Sequence, residues 1–159
     1  MGAERTMRAW RTHQYGPPLE ALQLDLVSAP GPGELLLRVQ AIPLHLNDLE
    51  RINGGNVMVR HELPYAAGMA VFDVVEAAGA GAEARIGQRV AAMTKGAIGG
   101  YAESAICPGH SAFEIAPAIP LPDAAALYFP FHLAWLGLFD RAQLKRGESV
   151  RLRRSRLAE

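Results

Sequence analysis

Short apolar runs broken by glycine and proline fill the first 115 residues, and their length and flanking turns predict strands. Strands are expected at 7–12 and 22–28, separated by the turn Gly16-Pro17-Pro18. Pro30-Gly31-Pro32-Gly33 predicts a tight loop, because proline pre-sets φ and glycine accepts positive φ. The run 34–41 follows, with the polar residues Arg38 and Gln40 two apart as a strand requires. Asn47 is a candidate cap for a short helix over 48–52 that stops at Gly54-Gly55. Further strands are expected at 70–78, 89–93, 101–107 and 113–116. After Pro122 the pattern changes. Asp123 is a plausible N-cap for a helical run, Pro130 breaks it, and helix resumes to about Arg141. Apolar residues go almost all the way round this last helix, which predicts burial on more than one side.

Composition fits a mainly β domain with a few helices. The chain has 159 residues, 16 of them glycine and 11 proline, enough for one domain with a real core. A single cysteine, Cys107, excludes an intrachain disulfide and a multi-cysteine zinc cluster. The opening residues lack the apolar core of a signal peptide, and no run approaches the ~20 apolar residues of a membrane span. A soluble, cytoplasmic protein without membrane contact is expected. Net charge is zero but unevenly spread: six basic and two acidic residues from Lys145 onward give +4, leaving ten basic and fourteen acidic before it. Nucleic-acid binders carry their basic surface on the folded body, so no nucleic-acid partner is expected. The arginine-rich end, Arg151 to Arg156, reads as a solvated tail.

Motifs narrow the chemistry mostly by exclusion. Gly79-Ala-Gly81-Ala-Glu-Ala84 matches G-x-G-x-x-A after a strand, but too few residues follow for the helix whose N-terminus would hold a pyrophosphate. A plain turn is expected. Histidines 13, 45, 61, 110 and 132 form no H-x-H or H-x-x-x-H pair, and no Gly-x-Ser-x-Gly elbow exists. Cys107 is expected to be a packed structural thiol. Asp48 and Glu50, two apart on a helix, point to different faces and cannot share a proton. Asp73 stands inside an otherwise apolar strand, where burial would demand a partner or a raised pKa.

Four segments in one order carry a resemblance: "PGPGELLLRVQAIPLHLNDLERINGG", "LPYAAGMAVFDVVEAAGAGAEARIGQRVAAM", "GGYAESAICP" and "IPLPDAAALYFPFHLAWLGLFDRAQLKRGESV". Over about residues 7 to 150 the chain resembles the medium-chain dehydrogenase/reductase superfamily, in its zinc-independent quinone oxidoreductase-like branch. The resemblance implies a GroES-like, partly open β-barrel over 7–122. A helical segment over 123–146 would lead toward a Rossmann domain that binds NADPH and closes a substrate cleft. The Gly-His-Glu ligands of zinc-dependent members fall on Gly68-Met69-Ala70, so no zinc is expected. His45 stands where this branch usually has Asn, three residues before the family's Asp at Asp48; these two are the candidate catalytic residues. Asp73 replaces a usual glycine, Gln88 a usual Asp, and Leu133 a threonine near the nicotinamide. Leu133 and its neighbour His132 are therefore the candidate substrate- and cofactor-proximal residues. Tyr101 matches an aromatic that shapes the barrel.

GESV at 147–150 is where the family's first Rossmann strand begins, and the arginines interrupt it. The expectation is a truncated basic tail over 147–159, a missing Rossmann domain and no cofactor-binding residue in this chain. NADP and a quinone or enone substrate would belong to the intact family, and the chain alone would be inactive. The alternative is a binding module that uses its apolar helix, 125–139, for a homodimer or partner contact.

Overall fold

In a computed structural model, residues 6–28, 34–56, 58–81 and 85–151 are described. The loop 30–33 and the basic tail from Leu152 onward lie outside them. Among the described residues eight strands form two sheets: β1 (Thr6–Thr12), β2 (Leu22–Ser28), β3 (Leu35–Ala41), β4 (Tyr65–Ala66), β5 (Ala70–Ala78), β6 (Arg89–Met93), β7 (Ser104–Cys107) and β8 (Ala112–Glu114). The smaller sheet runs β2-β1-β4 and the larger β7-β3-β5-β6-β8, with every pairing antiparallel. They meet along one seam, where the Trp10 N–H donates to Tyr101 O (2.7 Å) and the Glu103 N–H to Arg8 O (3.1 Å). The barrel is thus stitched at one seam without closing, as expected of a mainly β, partly open architecture.

Two apolar clusters lie on opposite faces of the larger sheet. Leu35, Leu37, Val71, Val75, Val90 and Cys107 make one. Phe72, Ala91, Ile115, Ala124 and Tyr128 make the other, where the C-terminal helices pack. The alternation along β5 sends Val71, Asp73 and Val75 to the first face, so the carboxylate enters a hydrocarbon core.

The helices depart from expectation in detail. A one-turn α1 (Pro18–Ala21) occupies the expected turn. The next helix, α2 (Leu46–Asn53), is capped by His45 rather than Asn47. The reason is Asp48: at the third helical position it reaches back to the His45 N–H (3.3 Å), which fixes the start two residues earlier. The α3 helix (Leu121–Ala126) begins at the proline pair, so Asp123 sits in its first turn and is not its cap. Pro130 lies in an irregular stretch, Leu127–Phe131, before the short α4 (His132–Trp135) and a final wide-turned segment, Leu136–Arg141. Burial on several sides does not occur here: Phe131, Leu133, Trp135, Leu136 and Phe139 are all exposed, since among the described residues nothing packs over them.

Candidate functional site

The start of α2 faces the irregular stretch before α4, and His45 stands between them. Asp48 is the fixed point. Its Oδ1 accepts the Met69 N–H at 3.0 Å and its Oδ2 the His45 N–H at 3.3 Å. Hydrogen bonds to a carboxylate are worth roughly 1.5–3 kcal/mol each, so Asp48 clamps the helix start onto the approach to β5. It is 3% exposed and lines neither of the two hollows beside it, which makes it a positioning residue. The Tyr101 hydroxyl is pushed above its ordinary range by burial and by the Asp48 carboxylate beside it.

The imidazole of His45 rests over this clamp, its Nδ1 3.5 Å from Asp48 Oδ2 and its side chain 5% exposed. Two apolar hollows share the ring as a wall. One, about 470 Å³, is lined by Pro18, Leu22, Leu49, Ile52 and Tyr101. The other, about 240 Å³, is lined by Asn47, Phe129, Pro130 and Leu133. Leu44 and Leu46 border both. The arrangement offers one ring donor within a hydrocarbon surround, the setting in which a hydrogen bond to a developing oxyanion is strongest.

Of the four residues singled out from sequence, three come together here: His45 and Asp48 as a pair, and Leu133 on the cleft wall. His132 points elsewhere, its ring edge-on to Phe113 (5.0 Å) and Tyr128 (5.2 Å). Phe129 was not legible as a site residue. Its ring meets His45 edge-on at 5.7 Å, from a backbone at φ 58°, ψ −70°. Such a conformation in a non-glycine residue costs on the order of 1–3 kcal/mol.

Other chemistry finds little support. Burial pushes the Cys107 thiol up to about 12, with Arg85 offsetting part of the rise and Asp73 and Glu34 adding to it, so it stays protonated. Among the described residues no three His, Cys, Asp or Glu side chains converge as metal ligands. The Gly79 N–H donates to Glu34 O and the Gly87 N–H to Val75 O, fixing the two ends of this connection. Residues 82–84 of the glycine motif lie outside the described residues. The chain is already in strand β6 at Arg89, which leaves too few residues after Gly81 for an α-helix whose N-terminus could hold a dinucleotide pyrophosphate. No described helix is long and apolar enough to cross a membrane.

A family model described as the alcohol dehydrogenase GroES-like domain matches residues 31–118. Human quinone oxidoreductase is 35% identical over 153 residues, which cover 92% of this chain and 45% of that protein. Among solved structures, a probable oxidoreductase from Mycobacterium abscessus superposes with a TM-score of 0.82 at 28% identity, covering 92% of this chain and 46% of the other. A mycobacterial protein solved in complex with NADPH superposes with a TM-score of 0.77 at 28% identity, covering 89% and 43%. The chain spans about half the length of the curated relatives it matches.

Proposed function

Because this chain belongs to the alcohol dehydrogenase GroES-like domain family, we propose that it is the substrate-side portion of an NADPH-dependent, zinc-independent quinone oxidoreductase-like enzyme, with a quinone or enone carbonyl as hydride acceptor. One observation carries this: a histidine walled by two apolar hollows of a size to hold a small ring. Hydride addition to a quinone leaves negative charge on oxygen, and His45 donates to that oxygen as hydrogen-bond or proton donor. Asp48 holds the His45 backbone in place, and Leu133 supplies apolar wall. NADPH, when bound, supplies the hydride. In this reading the chain supplies the acceptor side, does not by itself bind the cofactor and is inactive alone.

Tetramethylbenzoquinone is a suitable probe because its ring carbons are blocked against thiol and amine addition. Titrated into the labelled chain, it shifts the His45 ring signals in an NMR spectrum and leaves exposed His110 unmoved. Unmoved His45 signals would remove the substrate assignment. In a parallel fluorescence titration NADPH shows no saturable binding; saturation at micromolar cofactor would overturn the statement that this chain lacks a nucleotide site.

Exposure of Phe131, Leu133, Trp135, Leu136 and Phe139 along one short segment favours a second role, self-association through this face. The expected result in size-exclusion chromatography is a concentration-dependent shift toward dimer that Trp135→Glu abolishes. A monomer at every concentration rules it out.

A further inference from the structure

We infer that Phe129 is a specificity-determining residue that caps His45 on the side of the smaller hollow, so that its ring must move before a carbonyl oxygen held there reaches the imidazole. Three independent features meet at this position. The Phe129 ring stands edge-on to the His45 ring with centroids 5.7 Å apart. Both ring nitrogens of His45 are buried; Nδ1 has the Asp48 carboxylate at 3.5 Å, and Nε2 has no hydrogen-bond partner among the described residues. The Phe129 backbone, at φ 58° and ψ −70°, is held where a bulky side chain is disfavoured.

The residue after it compounds the strain. Proline restricts its predecessor to extended backbone with positive ψ, and Phe129 precedes Pro130. Its neighbours explain why the strain persists. Tyr128 is buried, with its ring against Phe113 and His132 (5.7 and 5.2 Å), and Pro130 lines the cleft with Leu133. A strained residue between two fixed neighbours has a second, extended backbone state within reach. Passage to it swings the ring off His45 and enlarges the cleft from its present volume of about 240 Å³. Planar ring carbonyls, which stack on or slip past an aromatic edge, are admitted in preference to bulky aliphatic ones.

The role in specificity rests on the substrate assignment made for His45, but the shielding of His45 does not, and the test reads shielding. Diethyl pyrocarbonate acylates accessible neutral imidazole, and peptide mass mapping scores each histidine separately. In the full chain, His45 is expected to react slowly while exposed His110 reacts freely. Phe129→Ala raises the His45 rate about tenfold or more, as expected when the buried state no longer dominates. Phe129→Leu gives an intermediate rise, and His110 is unchanged in both. If wild-type His45 reacts as fast as His110, or if Phe129→Ala folds and leaves it slow, the cap is disproved. Should Phe129→Ala lose its β circular-dichroism signal, Phe129→Leu decides: a His45 rate above wild type supports the cap and an equal rate overturns it. Failure of the quinone titration with success here would remove the substrate and leave the cap standing.

Discussion

Replacing Asp73 with asparagine is expected to stabilise the protein at pH 9 by several kcal/mol and to change little at pH 4. The Asp73 side chain is fully buried on the face of β5 that carries Val71 and Val75. One oxygen accepts the Val74 N–H; the other, Oδ2, has no partner among the described residues. Burial pushes its pKa from 3.8 to about 8, with the Val74 N–H and Arg38 opposing the rise and Glu76 adding to it. Folded protein therefore keeps the carboxyl neutral up to about pH 8, whereas the unfolded chain ionises it above about pH 4. Between those limits the folded state holds one more proton, so stability falls as pH rises. The contribution is fully present below pH 4 and lost by about pH 8. At about 1.4 kcal/mol per pH unit the loss across that window is roughly 6 kcal/mol. Asparagine has the same shape, keeps an oxygen for the Val74 N–H and does not ionise. Guanidinium unfolding of both proteins at pH 4.5, 6.5 and 9 checks this, with the gap widening at each step. Parallel stability profiles would mean that Asp73 reaches water or a cation in the folded state.

The polar interruption of an apolar strand made Asp73 visible from the sequence, since β5 and β6 are continuous apolar runs with strand length and turn residues on both sides. Where a helix starts was harder. Asn47 is the better cap by side-chain chemistry, but the start is set by Asp48, which takes the His45 N–H and is held in place by the Met69 N–H, 21 residues away. The two-residue β4 carries too little pattern to be read at all, and exists because Thr12 and Arg11 offer a register to Tyr65 and Ala66. Placing His45 beside Asp48 needs only helical spacing. Phe129 needs tertiary knowledge: nothing in LYFPF announces a positive φ, and the burial of Tyr128 holds the conformation against the preference that Pro130 imposes. Sequence adjacency points to His132 beside Leu133, but on the helix adjacent residues point about 100° apart, so Leu133 faces the cleft while His132 meets Phe113.

Gly68→Ala should cost several kcal/mol of stability, whereas Gly87→Ala should cost about 1 kcal/mol, the price of a positive φ alone. Both glycines have left-handed backbones, φ 93° and 86°. Their surroundings differ. A Cβ at Gly87 meets nothing within 4 Å, but one at Gly68 comes within 2.3 Å of the Tyr101 ring and 2.7 Å of the Tyr101 backbone nitrogen. The ring could turn away; the nitrogen cannot, because its N–H donates to Ala67 O at 2.9 Å. Relief therefore requires separating the 66–69 approach from the 99–101 loop, which also breaks the Gly100 N–H bond to Gly68 O (2.9 Å). Overpacking of this kind costs roughly 1–3 kcal/mol beyond the backbone penalty. The consequence reaches the site, since Tyr101 lies against Asp48 and walls the larger hollow beside His45. Gly68→Ala is thus expected to lower the urea midpoint well below that of Gly87→Ala and to move the His45 NMR signals, which Gly87→Ala leaves in place. Equal midpoints for the two variants would show that the close packing of Tyr101 on Gly68 relaxes freely, and that the clamp at Asp48 does not depend on it.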